Sequence, residues 1–293
     1  MKLLTLLVCL LIPFSAQAQD NNDIEIIKVR DGIHMLISPE GGNITASTGE
    51  DGTFIIDDNL EGRESVITDA IKSLNEQNVK FVLNTHYHFD HTGTNETFGD
   101  EGAIIVAHDN VRKRLSERQF ISFFNKEMPA LEKSGLPVVT FSEGLNLHYN
   151  GDDVQIIHMP GAHTDGDAAA FFKNANVIVA GDVIFNGMYP FIDAQHGGSI
   201  KGVLAAQSTL LNIADDNTAI IPGHGPLMNK ANLQAYHDAL AEITGNIETA
   251  IKNGKTLEET LAAKPTAKFD EKLGGGFITP DVFVTFLYEH LNR

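Results

Sequence analysis

Short apolar runs separated by turn residues occupy the chain from residue 24 to residue 58. The runs lie at 24–29, 33–37, 43–47 and 53–56. Gly-containing breaks such as Asp31-Gly32 and Asp51-Gly52 divide them. This spacing predicts an antiparallel meander, because each run suits one strand and each break suits a tight turn. From 64 to 75 apolar residues recur every three or four positions, which predicts a helix that covers the sheet.

After this helix the apolar pattern alternates between strands and helices. Strands are predicted at 79–83, 103–106, 145–149, 154–158, 168–172, 177–180 and 219–221. Helices are predicted at 108–115, 199–211, 232–251 and 281–291, with a short helical turn at 95–98. Periodicity alone therefore predicts a mixed α and β fold, and it does not define the arrangement of the layers.

Residues 116–137 fit neither period. The segment mixes Phe120, Phe123 and Phe124 with charged residues. We favour a helix that packs these aromatic rings into the core. The alternative is a lid or a pocket wall, which exposed apolar segments often form near a binding site.

The first 18 residues have the three parts of a secretory signal peptide. Lys2 precedes an apolar run at 3–12, and Ala16-Gln17-Ala18 has the small-residue pattern of a cleavage site. The run is too short to span a bilayer as a stable helix. We therefore expect residues 1–18 to be removed on export, residues 19–293 to form a single domain, and the mature protein to be periplasmic, with no membrane attachment.

Composition limits the partners and the ligands. Asp and Glu total 39 against 21 Lys and Arg, for a formal charge of −18. This balance argues against a nucleic-acid partner, because such binding depends on basic surface. The only cysteine, Cys9, lies in the predicted signal peptide. Any metal site of the mature chain must therefore use nitrogen and oxygen ligands.

A dense group of such ligands follows the predicted strand at 79–83. His86, His88, Asp90 and His91 fall within six residues. In an extended backbone His86 and His88 point to the same side, because side chains alternate across a strand. Asp90 and His91 follow round the turn and can face a second metal. The alternative, a polar turn whose histidines cap a strand, does not account for four potential ligands at this spacing.

The motif at 86–91 resembles the metal loop of the metallo-β-lactamase superfamily, a group of mostly dinuclear zinc hydrolases. Three later segments match the family pattern in order: His163, Asp182 and His224 each follow a predicted strand in a Gly-containing loop. The resemblance implies an αβ/βα sandwich, with two packed β-sheets and helices on the outer faces. It also implies two zinc ions per chain. One would be bound by His86, His88 and His163, the other by Asp90, His91 and His224, and Asp182 would bridge them.

Two positions divide the superfamily. The best-known β-lactamases have Cys at the bridging position, whereas glyoxalase-type thioesterases and many other hydrolases have Asp, as in Asp182. The flavodiiron branch has Glu at the position of His88, so His88 favours zinc over a redox di-iron centre.

The resemblance implies an exported zinc hydrolase that attacks a small carbonyl substrate with a metal-bound hydroxide. The substrate classes are a β-lactam, a lactone, an ester or a thioester. Asp90 would orient the water and pass a proton to the leaving group. Two carboxylates neutralise only half the charge of two zinc ions, so we expect an electropositive site and an anionic substrate. The alternatives are a non-catalytic zinc-binding or assembly protein on the same fold, and a phosphodiesterase-type member.

Candidate substrate contacts come from the stretch between Asp182 and His224. Its basic residue, Lys201, is a candidate for holding a substrate carboxylate, although a solvated lysine in a first helical turn is the interpretation we favour. Tyr189, His196 and Ser199 lie on the loop expected to border the metals. Tyr189 is a candidate donor to an oxyanion, and packing beside Pro190 is the alternative.

Overall fold

The computed structural model describes residues 24–292, so the predicted signal peptide at 1–18 lies outside the described residues. The strands within this range are β1 (Glu25–Arg30), β2 (Ile33–Ile37), β3 (Ile44–Gly49), β4 (Gly52–Ile56), β5 (Val79–Leu83), β6 (Ile104–His108), β7 (Gln119–Ile121), β8 (Lys126–Met128), β9 (Val139–Phe141), β10 (Gly144–Tyr149), β11 (Asp152–His158), β12 (Ala168–Phe172), β13 (Val177–Val179), β14 (Ala219–Ile221) and β15 (Met228–Asn229). The helices are α1 (Glu64–Leu74), α2 (Asn95–Asp100), α3 (Asp109–Leu115), α4 (Ile200–Ile213), α5 (Lys230–Lys252), α6 (Leu257–Ala262), α7 (Asp270–Leu273) and α8 (Pro280–Leu291).

The first sheet has seven strands in the order β1-β2-β3-β4-β5-β6-β9. Its first four strands pair antiparallel in chain order, which confirms the predicted meander. Gly32, with φ of 72°, makes the turn between β1 and β2, a conformation that suits glycine. β4, β5, β6 and β9 run parallel to one another, so their carboxyl ends meet at one edge.

The second sheet has six strands in the order β10-β11-β12-β13-β14-β15. β10 to β13 are antiparallel neighbours, and β14 lies parallel to β13. β11, β13 and β14 therefore point the same way. The loops that follow these three strands emerge at a common edge of the sheet.

The two sheets pack face to face, and strand alternation divides the core. In β4, Phe54 and Ile56 face the second sheet, whereas Ile55 faces α1. Val154 and Ile156 of β11 lie opposite in the same inter-sheet core. α1 and α2 cover the outer face of the first sheet, and α4, α5 and α8 cover that of the second. The predicted α+β class and αβ/βα sandwich are confirmed.

The favoured prediction for residues 116–137 is wrong. β7 and β8 form a hairpin, joined by a 3-10 turn at Ser122–Phe124 and by Asn125 in the left-handed region at φ of 47°. Phe120, Phe123 and Phe124 are exposed rather than packed into the core. Strands of three residues are too short for a period of two to be recognised, so the sequence pattern did not indicate the hairpin.

Helices long and apolar enough to cross a membrane do not occur between residues 24 and 292.

Candidate metal centre

All seven predicted ligands come together where the loops of the two sheets meet. His86, His88, Asp90 and His91 follow β5, His163 follows β11, Asp182 follows β13 and His224 follows β14. The side chains form two groups, and within each group the donor atoms lie within 4.8 Å of one another. One group is His86, His88, His163 and Asp182, and the other is Asp90, His91 and His224.

Asp182 lies between the two groups. Its Oδ2 is 3.4 Å from His163 Nε2 and 3.7 Å from His86 Nε2. On the other side its Oδ1 is 3.1 Å from His91 Nε2, and its Oδ2 is 3.5 Å from His224 Nε2. A single carboxylate therefore contacts both groups, which is the position that a bridging ligand requires.

The residues fit a pair of metal ions. His86 Nε2 and Asp182 Oδ1 are buried and have no hydrogen-bond partner among residues 24–292. An unsatisfied buried polar atom costs about 1–3 kcal/mol, and a metal ion would satisfy both atoms. Five imidazoles and two carboxylates form a nitrogen and oxygen donor set of the kind that zinc and related divalent ions accept.

Hydrogen bonds on the far side of the rings fix which imidazole nitrogen faces the centre. His91 Nδ1 lies 2.8 Å from Asp57 Oδ2, and His163 Nδ1 lies 2.8 Å from the Phe191 carbonyl oxygen. Since both acceptors require an N–H at Nδ1, Nε2 is the atom through which His91 and His163 would bind a metal. Both Nε2 atoms point towards Asp182.

His88 is oriented the opposite way. Its Nε2 lies 3.0 Å from Asp193 Oδ2, and its Nδ1 faces His163 Nε2 at 2.8 Å. Asp193 also accepts from the hydroxyl of Tyr87 at 2.6 Å and contacts His196 Nδ1 at 2.7 Å. Burial works against the charge of Asp193, but hydrogen bonds from His196, His88 and Tyr87 outweigh it and hold its pKa well below the usual range.

The protonation of the histidine ligands differs between the two groups. Burial lowers the pKa of His163 to about 4 and that of His86 well below its usual value, so both are neutral. Burial also disfavours charge on His91 and His224, but Asp182 and Asp90 outweigh it. They raise the pKa of His224 to about 9 and that of His91 well above 6.5. Without metal these two histidines therefore hold protons that metal ions would displace.

Asp57, Asn43 and Asp193 support the ligands, and none of the three was predicted to do so from the sequence. Asp57 follows β4, the parallel neighbour of β5, so their shared edge was a signal that could have identified it. Asn43 holds the His224 loop by donating to the carbonyl oxygens of Pro222 and Gly225, each at 2.9 Å. Asp193 stands 11 residues beyond Asp182 on an irregular loop, and no pattern in the sequence indicates its role.

The four predicted substrate contacts do not reach the centre. Lys201 is 73% exposed and pairs with Glu248 at 3.4 Å, which confirms the favoured interpretation of a solvated lysine. Tyr189 is fully buried, its hydroxyl bonds to Asp270 Oδ1 at 2.8 Å and its ring stacks on Phe283. The alternative of packing is therefore correct for Tyr189.

Ser199 and His196 have structural contacts instead. Ser199 is the N-cap of α4, where its hydroxyl oxygen accepts from the Gly202 N–H at 3.0 Å. His196 is buried behind His88 and reaches the ligands only through Asp193. Neither side chain faces the metals, because Ser199 bonds backbone groups and His196 bonds the side chains of Asp193 and Tyr87.

A cavity of about 300 Å³ opens onto the two ligand groups. His88, Asp90, Asp182 and His224 provide its polar surface. The remaining wall is largely aromatic and contains Phe89, Phe124, Phe185, Met188, Phe191 and Phe277. The hairpin at 119–128 thus contributes to the pocket wall, as the alternative interpretation of residues 116–137 predicted.

The chain is similar in sequence to a known protein family and to several curated proteins. The family model of the metallo-beta-lactamase superfamily matches residues 37–224. The probable metallo-hydrolase YqgX of Bacillus subtilis is 25% identical over 194 residues, which cover 66% of this chain and 89% of that protein. A hydroxyacylglutathione hydrolase of Pelagibacter ubique is 26% identical over 207 residues, or 69% of this chain and 75% of that protein.

Solved structures share the fold. A metallo-beta-lactamase from Pontibacter korlensis aligns with a TM-score of 0.62 and 17% identity over 75% of this chain and 99% of that one. The sec-alkylsulfatase Pisa1 from Pseudomonas sp. aligns with a TM-score of 0.67 and 13% identity over 91% of this chain and 50% of that one. At these identities the likeness concerns the architecture alone.

The family match and the geometry describe the same part of the molecule. The matched residues 37–224 cover more than half of the chain and contain all seven side chains of the two groups. The chain belongs to the metallo-beta-lactamase superfamily and is a metal-dependent hydrolase.

Proposed function

We propose that this protein is an exported dinuclear zinc hydrolase that cleaves a small carbonyl substrate, with esters and thioesters ahead of lactones and β-lactams. The observation that supports this most directly is the position of Asp182. Its carboxylate contacts both ligand groups, and one of its oxygens is left without a hydrogen bond. One ion would be held by His86, His88 and His163, and the other would be held by Asp90, His91 and His224. Asp182 would bind both ions.

Zinc is the metal that best suits the donors. The set contains imidazole nitrogen and carboxylate oxygen, with no thiolate. When bound, zinc supplies Lewis acidity that polarises a carbonyl group and makes water a nucleophile near neutral pH. The orienting bonds from Asp57, Asp193 and the Phe191 carbonyl group keep three imidazoles in the tautomer that binding requires.

Asp90 is the residue to which we assign proton transfer. It lines the cavity, and its Oδ2 lies 3.2 Å from His224 Nε2. Burial alone would raise the pKa of Asp90, but His91 and His224 lower it to about 2. The carboxylate is therefore ionised at neutral pH. A group that orients the attacking water, accepts its proton and passes that proton to the leaving group must be ionised.

The curated relatives favour thioester or ester chemistry. Relatives from Pelagibacter ubique and Haemophilus influenzae are named hydroxyacylglutathione hydrolases. The Asp at position 182 also matches thioesterases rather than the best-known β-lactamases. The cavity of about 300 Å³ suits a small molecule, and the acidic composition argues against nucleic acid.

Export is a separate part of the proposal and rests on residues 1–18. Fractionation of the native host would recover the protein in the periplasm, and sequencing of its amino terminus would begin at Gln19. An uncleaved protein in the cytoplasm would contradict export and leave the hydrolase assignment intact.

The hydrolase assignment is tested with a panel of thioesters, esters, lactones and a chromogenic β-lactam. The purified mature protein is assayed as prepared, after chelation, and after zinc is returned. We expect turnover of at least one class that chelation removes and zinc restores. Stoichiometric zinc binding with no turnover across the panel would instead support a non-catalytic zinc-binding protein.

A further inference from the structure

The cavity beside the metal ligands has a wall of phenylalanine rings that connects the centre to the surface. Phe185 stacks on His224 with ring centroids 5.0 Å apart, and Phe191 lies 5.8 Å from the ring of His88. Phe124 lies 5.1 Å from Phe191 and 5.8 Å from Phe277. The rings therefore form one continuous apolar surface that begins at the ligands.

The outer rings of this wall are incompletely buried. Phe124 is 39% exposed and Phe277 is 47% exposed, while Phe185 and Phe191 beneath them are buried. Burying apolar area is favourable, so rings left open beside a cavity are a suitable surface for an apolar ligand group. Their position against the reacting centre identifies the occupant as part of the substrate rather than a separate partner.

Charge complementarity points the same way. No Lys or Arg among residues 24–292 lines the cavity. Lys126 is not among the lining residues, and its Nζ lies over the Phe89 ring at 4.2 Å from its centroid. The residues that surround the non-reacting part of a substrate thus offer ring faces and no buried cation for a carboxylate.

The hairpin that presents Phe124 is fixed in place. Gln195 accepts from the Ser122 hydroxyl at 2.7 Å and donates to the Phe120 carbonyl oxygen at 3.0 Å. Gln195 belongs to the same loop as Asp193, which orients His88. The aromatic wall is therefore held relative to the metal ligands before any substrate arrives.

We propose that the acyl part of the substrate is an uncharged apolar group, a medium-length alkyl or aryl chain, that lies against the exposed surfaces of Phe124 and Phe277. This inference rests on the proposed function and narrows its substrate class. It differs from the expectation of an anionic substrate. In this proposal the negative charge develops only on the reacting carbonyl group during hydrolysis, and the acyl chain against the rings is uncharged.

The test compares acetyl, hexanoyl and succinyl thioesters of one small polar thiol with the zinc-loaded protein. The mature chain has no cysteine, because Cys9 is the only one in the sequence, so a thiol reagent detects the product without background. We expect kcat/KM for the hexanoyl thioester to exceed that for the acetyl and succinyl thioesters by at least about tenfold. A preference for succinyl, or equal rates for acetyl and hexanoyl, would overturn the inference and leave the hydrolase assignment standing.

Variants of the exposed rings test which side chains produce the preference for the hexanoyl thioester. Phe124→Ala and Phe277→Ala should each lower the hexanoyl-to-acetyl ratio by roughly fivefold or more, and Phe124→Leu should keep most of it. Phe120→Ala is the matched control, because Phe120 lies on the same hairpin and is 41% exposed but does not line the cavity. An equal ratio in the Phe124, Phe277 and Phe120 variants would overturn the inference.

A binding measurement separates this inference from the proposed function. Calorimetry compares 1,1,1-trifluoro-2-octanone with 1,1,1-trifluoroacetone on the zinc-loaded wild type and on Phe124→Ala. We expect the longer ketone to bind at least about tenfold more tightly to the wild type, and Phe124→Ala to reduce that advantage. If no class of the substrate panel is hydrolysed, the proposed function fails, and this ratio alone decides the inference. If the Phe124 and Phe277 variants instead dissociate an oligomer and leave ligand binding unchanged, the surface is an interface and the inference is overturned.

Discussion

The carboxylate of Asp193 lies 3.0 Å from Nε2 of His88, and this contact reverses the imidazole relative to the other ligands of the centre. His88 presents Nδ1 to the metal position, whereas His86 and His163 present Nε2. The carboxylate is ionised and also accepts from Tyr87, so it holds the ring through a charge-assisted bond. The geometry of the first ion thus depends on a residue 105 positions away from its ligand.

Replacing Asp193 with Asn should weaken the first metal site. The Asn amide has no charge, so His88, Tyr87 and His196 lose the carboxylate that accepts their hydrogen bonds. The ring of His88 is then no longer held in one orientation. We expect a loss of about 10- to 100-fold in affinity for one of the two ions, measured by competition with a chromogenic chelator. Asp153→Asn is the control, since Asp153 also bonds a histidine, His148, at the opposite end of β11. Wild-type affinity at both sites in Asp193→Asn would rule out this role.

Replacing Asp90 with Asn should remove nearly all turnover and leave the fold intact. The side chain lies at the cavity edge, so the change costs little packing, but an amide cannot accept the proton of the attacking water. We expect kcat to fall by about 10²- to 10⁴-fold while the circular dichroism spectrum stays that of the wild type. The thermal midpoint of the metal-free protein should fall, because His224 loses one of its two charge partners. Undiminished turnover would mean that the proton is transferred elsewhere.

The fold and the ligand set follow from short stretches of sequence for identifiable physical reasons. The meander at 24–58 is visible because short apolar runs are separated by Gly-containing turns, and the strand at 79–83 is visible because it is apolar and a polar cluster follows it. The ligands of the centre are concentrated on loops directly after strands, where a rigid sheet fixes them. Local pattern and tertiary position therefore agree at these residues.

Residues whose roles depend on contacts distant in sequence were not predictable in this way. Tyr189, His196 and Ser199 lie on the expected loop, but the chain turns each side chain inward to a partner that only the tertiary structure supplies. A helix was predicted where Phe120, Phe123 and Phe124 lie on a hairpin, because strands this short have no recognisable period. Asp193 has no sequence signal, since its partner His88 is brought near only by the packing of the loops.

The metal-free protein should lose stability as the pH rises from about 6.5 towards 9. Burial disfavours the charge of His224, but Asp182 and Asp90 raise its pKa from 6.5 to about 9. The folded protein therefore holds this proton more tightly than the unfolded chain does. The resulting stabilisation is fully present below about pH 6.5 and is lost as the pH passes 9, with a total on the order of 3 kcal/mol.

Thermal midpoints of the chelated protein between pH 6 and pH 9.5 measure this loss. Zinc-loaded protein is the control, because imidazoles that bind metal hold no displaceable proton, and its midpoint should fall less over the same range. A midpoint in chelator that stays constant across this range would show that His224 is not charged in the folded state.

Replacing Gly42 with Ala should disable the second metal site by a steric effect. A Cβ at Gly42 would lie 2.2 Å from Cε1 and 2.5 Å from Nε2 of His91. The backbone cannot retreat easily, because the Gly42 N–H donates to the Asp90 carbonyl oxygen at 3.1 Å and its own carbonyl oxygen accepts from Asn59 at 2.7 Å. The ring of His91 must therefore move, and its bond to Asp57 and its place in the ligand group change with it.

Metal titration followed by elemental analysis measures the effect. We expect Gly42→Ala to bind one zinc ion per chain under conditions in which the wild type binds two, with at least about a tenfold loss of affinity for the second. Gly245→Ala is the matched control, since a Cβ at this position in α5 meets nothing within 4 Å and a helix gains about 0.5–1 kcal/mol from the change. It should bind two ions like the wild type. Two tightly bound ions in Gly42→Ala would show that the loop adjusts without moving His91, and that close packing at Gly42 does not position this ligand.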